Sequence, residues 1–369
     1  MNRSMKIFIA ITIIAYLPSS LISQTDVVPV KIDYDLYTAG AIGPGEPGKD
    51  RACYWINEVL SKLSPEKSRV SDICIASKDI YISGIYSNKS GVQPCYWKNG
   101  TSVDLDVGYS AYTSGILVLG NDVYVTGHYV MDKRTIPCYW KNGKRTDLEV
   151  QGKNSGFTKS ITGNGKDFYI AGFMNSPEGE ENRIEACYWK NAKLIRLDAT
   201  PYKYSIAVDI KSDKNGIYIA GRLDDTEKET LCVWKENMRS DYVTIPNKYN
   251  EKEGAFLMAW ESADYNYFTY EKGITYHKIE INSMDIFDGN VYLVGKQDSN
   301  PCYWINDKMT NINSEGENIY PITIKIINDN ILIAGKTKNS ICVWENGVQK
   351  KIVGLSNYEH PKNCMFIKK

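Results

Sequence analysis

The sequence predicts an all-β protein, an eight-bladed β-propeller built from four-stranded antiparallel blades, with seven blades plus an inserted hairpin as the alternative. Two recurring phrases indicate this fold. The first reads Cys-Tyr-Trp-Lys-Asn-Gly in its clearest copies, at residues 95–100 and 138–143. The second, an apolar pair followed by a small residue and glycine, precedes nearly every copy. Looser copies of the first phrase centre on Trp55, Trp189, Trp234, Trp304, Trp344 and, with tyrosine in place of tryptophan, Tyr270. Repeats with a period near ~40 residues indicate stacked supersecondary units.

Each repeat unit predicts four short strands, a to d. In the unit around Trp140 they cover residues 113–119, 123–129, 136–141 and 145–150. Asn142-Gly143 separates strands c and d, and this dipeptide favours a tight hairpin because both residues accept positive φ. In strand c of the preceding unit, Cys95 and Trp97 share one face and Tyr96 points to the other. Two apolar faces are typical of a sheet stacked between two neighbours.

The glycine of strand b sets the predicted number of units. It recurs at Gly40, Gly84, Gly127, Gly172, Gly221, Gly295 and Gly335. The interval from Gly221 to Gly295 is close to two repeat lengths. Within it, residues 256–260 match strand b with Trp260 in place of glycine. We therefore expect eight units, the sixth of them degenerate.

The two ends of the repeat array predict how the ring closes. Residues 363–367 resemble a strand a with no unit after it, whereas the first unit begins almost directly at its strand b, residues 36–40. We expect the C-terminal strand to complete the first blade, because this pairing removes the exposed edges of an open array.

The N-terminus has the features of a secretory signal. Arg3 and Lys6 precede an apolar run over residues 7–17, and residues 18–23 contain the small side chains of a cleavage region. The apolar run is shorter than the ~20 residues that span a bilayer, which favours cleavage over an anchor helix. The sequence thus predicts a signal peptide over 1–23, a single propeller domain over 24–369, and export to the periplasm, the cell surface or the medium. No second membrane span is expected after cleavage.

The repeats resemble those of exported bacterial propeller proteins that contain Trp-x-Asn-Gly motifs. The resemblance covers roughly residues 30–369 and implies the fold and the compartment, but no activity. The Gly-His and Trp-Asp pattern of WD40 blades and the paired glycines of kelch blades are missing from the sequence.

Seven of the nine cysteines occupy one repeat position, two residues before the tryptophan of strand c. We interpret them as small buried hydrophobic residues and not as disulfides or metal ligands, since equivalent strands of neighbouring blades lie beyond the ~7 Å that a disulfide can bridge. Cys74 and Cys364 differ, because they lie on predicted innermost strands of adjacent blades. A disulfide between them is a second hypothesis, and it suits an oxidising compartment.

The sequence predicts no catalytic residues, no metal site and no cofactor. It has no nucleophile elbow, phosphate loop, zinc-binding motif or dinucleotide fingerprint, and its three histidines fall in unrelated repeat positions. Lys and Arg balance Asp and Glu at 44 each, which gives no reason to expect nucleic-acid binding. The chain is therefore expected to be a monomeric binding or scaffold protein. A carbohydrate-active hydrolase and a structural cell-envelope protein are the alternatives.

The b–c and d–a connections vary in length and charge and share one face of a propeller, which we call the variable-loop face. Binding residues commonly lie on variable loops over a rigid scaffold. At the channel mouth on this face, one repeat position at the start of strand a contains Arg69, Tyr112, Phe157, Tyr204, Glu280 and Tyr320. The position after the strand b glycine also varies, with His128, Arg222, Lys296 and Lys336. Aromatic rims suit sugar rings or peptide side chains, so a carbohydrate, peptide or protein partner is expected here. The alternative is that these rings fill the channel between blades.

Overall fold

The structure is a computed structural model that describes residues 34–43, 50–63, 67–89, 91–152, 155–175, 183–225, 228–246, 279–313, 318–337, 340–354 and 359–368. These residues form 28 β-strands and, within the ranges just given, no helix. They belong to one compact unit, Asp33–Lys369. A search of the described segments for helices long and apolar enough to cross a bilayer found none. The predicted signal peptide lies outside the described residues.

The strands form seven four-stranded antiparallel units, which we call blades 1 to 7. One parallel pair, Ile184 with Tyr204, joins blades 4 and 5 into a single eight-stranded sheet. Blade 1 contains β1 (Tyr34–Ile42), β2 (Arg51–Ile56) and β3 (Val59–Lys62). Blade 2 contains β4 (Ser68–Ala76), β5 (Asp79–Asn88), β6 (Gly91–Lys98) and β7 (Thr101–Asp104). Blade 3 contains β8 (Ala111–Leu119), β9 (Asp122–Met131), β10 (Arg134–Lys141) and β11 (Lys144–Asp147). Blade 4 contains β12 (Ser155–Gly163), β13 (Phe168–Asn175), β14 (Ile184–Lys190) and β15 (Lys193–Arg196).

The remaining blades follow the same order from the innermost to the outermost strand. Blade 5 contains β16 (Tyr204–Asp213), β17 (Gly216–Asp224), β18 (Lys228–Lys235) and β19 (Met238–Pro246). Blade 6 contains β20 (Ile279–Phe287), β21 (Asn290–Gln297), β22 (Asn300–Ile305) and β23 (Lys308–Asn311). Blade 7 contains β24 (Tyr320–Ile327), β25 (Asn330–Lys336), β26 (Ser340–Glu345) and β27 (Val348–Gly354). The C-terminal strand β28 (Glu359–Lys368) pairs with β1 and completes blade 1.

The described sheets close a ring of seven. The innermost strands β28, β4, β8, β12, β16, β20 and β24 contact one another in that cyclic order. Blades 5 and 6 pack directly together, since Tyr218 and Leu231 share a buried cluster with Ile279 and Trp304. The described residues therefore form seven blades, which is the number in the alternative prediction. The sequence assigned to the degenerate sixth unit, including Trp260 and Tyr270, lies outside the described residues.

The predicted closure of the ring is confirmed. Strand β28 runs antiparallel to β1, with Tyr37 opposite Met365 and Thr38 opposite Cys364. The pairing extends from Tyr34 to Ile42, so the two ends of the propeller are hydrogen-bonded into one sheet. The C-terminal strand is the innermost strand of blade 1.

The Trp-x-Asn motif, which glycine follows in blades 2, 3 and 7, builds the same turn in six of the seven blades. In blade 3, Asn142 has a φ of 52°. Its Oδ1 accepts a hydrogen bond from the Val123 amide at 2.9 Å, and its Nδ2 donates to the Asp122 carboxylate at 2.7 Å. The asparagine thus ties the c–d turn to the start of strand b. The equivalent residues are Asn57, Asn99, Asn191, Asn306 and Asn346. Blade 5 has Glu236 at this position, also with positive φ, at 54°.

The tryptophans of blades 2 to 7 pack against the preceding blade. Trp140 is completely buried and shares a cluster with Tyr81 and Tyr96 of blade 2. Its Nε1–H donates to the Asp106 carbonyl at 2.8 Å, just beyond the outer strand of blade 2. Trp189, Trp234 and Trp344 make the same kind of bond to the blade before them. The neighbouring strand c residue Tyr139 packs with blade 4, so both faces of the sheet are apolar, as predicted.

Only glycine fits at the strand b position, because a backbone carbonyl and the tryptophan ring both lie too close for a Cβ atom. In blade 3, a Cβ placed on Gly127 would lie 1.9 Å from the Tyr112 carbonyl oxygen and 3.0 Å from the Trp140 ring. The innermost strand has a β-bulge at this point, which brings its carbonyl towards the glycine. Bulges occur at the equivalent place in the other six blades. The bulge and the glycine together fix which residues face the channel mouth.

Candidate functional site

The channel mouth on the variable-loop face is defined by strand register. In each blade, the residue after the strand b glycine lies opposite one residue of the innermost strand. We call these seven pairs the loop-face ring. They are Arg69–Ile85, Tyr112–His128, Phe157–Phe173, Ile206–Arg222, Glu280–Lys296, Tyr320–Lys336 and, from backbone register, His360–Ala41.

Nine of the ten residues predicted at the mouth fall in this ring, and Tyr204 does not. In blade 5 the bulge lies between Ala207 and Asp209, so Ile206 is the residue opposite Arg222. Tyr204 lies two residues earlier, opposite Asp224, and it also forms a parallel pair with Ile184 of blade 4. Tyr204 was predicted because aromatic residues occupy this position in other blades. The bulge, however, determines which residue of the innermost strand lies opposite Arg222. The backbone of His360 occupies the equivalent position in blade 1, and this residue was not among those predicted.

The aromatic residues of blades 3 and 4 stack on one another. The His128 ring lies 5.6 Å from Tyr112 and 5.1 Å from Phe157, centroid to centroid. Phe157 in turn stacks on Phe173 at 5.0 Å and is only 7% exposed. These contacts correspond to the alternative in which the rings pack within the mouth. Phe157 offers little surface for a ligand.

Two of the basic residues in the ring are held by buried carboxylates. Arg69 lies 3.4 Å from Asp50, and Arg222 lies 3.5 Å from Glu229. Both carboxylate residues are buried, at 6% and 2% exposure for Asp50 and Glu229. These ion pairs fix the two arginines in the wall of the mouth.

The junction of blades 6 and 7 has a different character. Tyr320 is 40% exposed, and the ammonium groups of Lys296 and Lys336 lie 5.0 and 5.5 Å from its ring centroid. The Tyr320 hydroxyl donates to the Asn282 amide oxygen at 3.4 Å. Partial desolvation and the nearby Glu280 carboxylate raise the pKa of Tyr320. We call Glu280, Asn282, Lys296, Tyr320 and Lys336 the blade 6–7 patch.

Inside the channel, three aspartates connect adjacent innermost strands. Each accepts a hydrogen bond from a backbone amide of the next blade. The pairs are Asp72 with Ile116 at 3.1 Å, Asp209 with Met284 at 2.8 Å, and Asp285 with Ile326 at 2.8 Å. None of these aspartates was predicted from the sequence. Their signal is an Asp-Ile dipeptide in three of the innermost strands, at residues 72–73, 209–210 and 285–286.

The channel aspartates are coupled to two lysines. Lys211 lies 3.3 Å from Asp209, and Lys325 lies 2.8 Å from Asp285. Burial alone would lower the pKa of Lys211, but Asp209, Asp285 and Asp72 together raise it. Burial raises the pKa of Asp72 to about 6, against the opposing effect of its two amide hydrogen bonds and Lys211. Within the described ranges, no group of three or more His, Cys, Asp or Glu side chains is arranged to hold a metal ion.

The cysteines of the repeat position are buried, which agrees with their interpretation as small packed side chains. Cys74 is also a free thiol, and it packs against blade 3 in the cluster that contains Ile116 and Val118. Its neighbours Ile73 and Ile75 face blade 1 instead, in the cluster with Met365. The Cys74 side chain therefore points away from the blade that contains Cys364. The side chain of Cys364 lies outside the described part, and the disulfide remains a prediction that this orientation disfavours.

Comparison with known proteins supports the propeller fold. No protein-family profile and no curated protein sequence matches the chain. The β-propeller domain of the trilobed protease from Pyrococcus furiosus, described as having an open velcro topology, is similar with a TM-score of 0.52 at 11% identity. It covers 88% of this chain and 93% of that one. A polysaccharide lyase, an ulvan lyase of the PL25 family, gives a TM-score of 0.48 at 10% identity over 91% and 97% of the two chains. A chain from a nidogen/laminin complex gives 0.42 at 9% identity over 90% and 98%. Likeness at this level of identity extends to the fold alone.

Proposed function

We propose that this chain is an exported, non-catalytic binding or scaffold protein that recognises a carbohydrate, peptide or protein partner. The ligand binds at the channel mouth on the variable-loop face. The single observation that carries the proposal is the half-exposed Tyr320 ring between two lysine ammonium groups in the loop-face ring. A rigid scaffold that presents an exposed aromatic ring and unlike side chains at one repeat position is typical of a recognition surface.

The repeat itself explains why side chains at the mouth are available for binding. Stacking of the blades fixes the strand b glycine, the buried cysteine and the tryptophan, as in Gly127, Cys138 and Trp140. The loop-face ring is not fixed in this way, because its side chains differ from blade to blade. Variation at a position that packing does not dictate is consistent with selection for a ligand.

The hydrolase alternative requires two carboxyl groups about 5–10 Å apart in an open site, one of them with a raised pKa. Asp72 and Asp209 come nearest to this arrangement among the described residues, since they interact electrostatically and the pKa of Asp72 is raised. Both oxygens of Asp72 accept backbone amide hydrogen bonds, from Ile73 and Ile116. Asp209 is bound in the same way by Ile210 and Met284. Carboxylates occupied by backbone amides favour a role in holding the ring together over one in catalysis.

The proposal is tested by screening the mature chain, residues 24–369, on glycan and peptide arrays and measuring affinity for each hit. Tyr320→Ala should weaken binding at least tenfold. Met238→Ala is the matched control. Met238 is 71% exposed and lies directly after the c–d turn of blade 5, on the face opposite the mouth. Unchanged affinity in a folded Tyr320→Ala variant would place the site elsewhere, and binding to no carbohydrate or peptide would favour a structural role in the cell envelope.

Export is tested separately. When the full chain is expressed with its own N-terminus in a bacterial host, N-terminal sequencing of the exported protein should begin at Gln24. Recovery of the chain only inside the cell, still beginning at Met1, would contradict this part of the proposal.

A further inference from the structure

We propose that the blade 6–7 patch binds an acidic carbohydrate, a glycan whose sugar rings bear carboxylate or sulfate groups. The inference deepens the proposed function and rests on it, because it names the ligand class for the same mouth. It is carried by two lysine ammonium groups that lie over one half-exposed tyrosine ring, Tyr320, whereas the tyrosines under the repeat lysines of the opposite face are buried.

The face opposite the variable loops contains the short a–b and c–d turns, and we call it the tight-turn face. There the repeat places a lysine over a tyrosine in blades 2 to 5. In blades 2, 3 and 4 the lysine also forms an ion pair with an aspartate of its own blade. The distances are 2.9 Å for Lys98 and Asp79, 2.7 Å for Lys141 and Asp122, and 3.1 Å for Lys190 and Asp167. The tyrosines beneath them, Tyr81, Tyr124 and Tyr169, are buried. In these three blades, the lysine therefore contacts both a tyrosine ring and an aspartate of the protein itself.

Lys296 lies over a tyrosine ring, that of Tyr320, but forms no ion pair of this kind within the described part of the chain. Its ammonium lies 5.0 Å from the Tyr320 centroid, and among the described residues no carboxylate lies within ion-pair distance of it. Glu280 is its neighbour across the strand pair and is the only acidic side chain of the patch. Lys296 therefore presents an ammonium group beside a half-exposed ring. An anionic group on a ligand would take the place that aspartate holds on the opposite face.

The patch is also preorganised. Asn282 donates from its Nδ2 to the Pro321 carbonyl at 2.7 Å and accepts the Tyr320 hydroxyl, which fixes the phenol at the junction of the two blades. Lys296 reaches this ring from blade 6, whereas Lys336 reaches it from blade 7. A fixed aromatic surface suits the apolar face of a sugar ring, and the ammonium groups suit its acidic substituents.

Elsewhere in the loop-face ring, the arginines are already paired. Arg69 forms an ion pair with Asp50, and Arg222 forms one with Glu229. A ligand anion is therefore expected at the patch, where Lys296 has no such partner among the described residues. An acidic peptide would satisfy the ammonium groups as well, but it would not require the exposed ring.

The test is isothermal titration of the mature chain with four probes: an oligogalacturonate, a sulfated galacto-oligosaccharide, a neutral galacto-oligosaccharide of equal length, and a glutamate-rich peptide. We expect at least one acidic glycan to bind at least tenfold more tightly than the neutral one, and to weaken as salt rises. Lys296→Met and Tyr320→Ala should each weaken that binding at least tenfold. Lys235→Met is the matched control, because Lys235 lies 5.3 Å from a tyrosine centroid on the opposite face, over the buried Tyr218.

Three results would overturn the inference. They are binding to neither acidic glycan, unchanged acidic-glycan affinity in folded Lys296→Met, and binding of the glutamate-rich peptide as tight as that of the acidic glycans. Preference for the neutral glycan with loss of binding in Tyr320→Ala would also overturn it, while leaving the proposed function intact. Failure of every probe, together with failure of the glycan and peptide arrays, would remove the proposed function as well. Thermal unfolding of each variant establishes that it is folded.

Discussion

Replacing Trp140 by phenylalanine tests how one blade is fastened to the next. Trp140 is fully buried, and its Nε1–H donates to the Asp106 carbonyl of the preceding blade at 2.8 Å. Trp140→Phe removes this hydrogen bond, which is worth about 1 kcal/mol. It also leaves part of the indole volume empty, at a cost of about 1–3 kcal/mol. We therefore expect the free energy of unfolding to fall by roughly 2–4 kcal/mol.

Trp304→Phe separates the two contributions. Trp304 is equally buried, at 0% exposure, but its Nε1–H has no hydrogen-bond acceptor among the described residues. Its replacement should cost only the lost packing, so Trp140→Phe should be more destabilising by about 1–2 kcal/mol. Urea unfolding followed by far-ultraviolet circular dichroism measures both variants without relying on tryptophan fluorescence. Equal losses, or a greater loss for Trp304→Phe, would refute the assignment of the inter-blade bond.

Three further predictions concern the glycine position, the channel and the closure. Gly127→Ala should destabilise the fold more than Gly335→Ala, because the added Cβ meets a backbone oxygen at 1.9 Å in the first case and at 3.1 Å in the second; chemical denaturation gives the comparison, and the reverse order would contradict it. Asp72 keeps its proton to a higher pH when folded, with a pKa of about 6. The wild-type protein should therefore lose roughly 2–3 kcal/mol of stability relative to Asp72→Asn as the pH rises from about 4 to about 6; parallel pH profiles would exclude this. Thr38→Cys should form a disulfide with Cys364, its partner across the strand pair, under oxidising conditions; peptide mapping that finds no such bond would count against the observed register.

The strands and turns could be predicted from the sequence because they depend on local chemistry. Asn142 and Gly143 have positive φ, at 52° and 86°, as the dipeptide predicts for a hairpin. The alternation of Cys138, Tyr139 and Trp140 places one face of strand c against each neighbouring blade. These features need only the period of a strand and the preferences of a turn.

The candidate site was predicted less completely because it depends on contacts between blades. The bulge in the innermost strand of blade 5 places Ile206, and not Tyr204, in the loop-face ring. No local sequence rule gives the position of that bulge. The amide partners of Asp72 and Asp209 belong to the next blade in the ring, which only the folded structure brings near. The distinctive feature of Lys296, an ammonium over an exposed ring without a carboxylate partner, is likewise a property of the junction between blades.

The central claim of this account is that the seven described blades alone close the ring. It is tested most directly by replacing residues 247–278 with a Gly-Ser linker about as long as residues 148–154, which join β11 to β12. Because β16 contacts β20 directly, the shortened chain should unfold cooperatively, with a free energy of unfolding within about 1 kcal/mol of the parent chain. Replacing β8 and β9 in the same way should abolish cooperative unfolding. If the 247–278 replacement abolishes it too, the segment belongs to the ring and the count of seven blades is wrong.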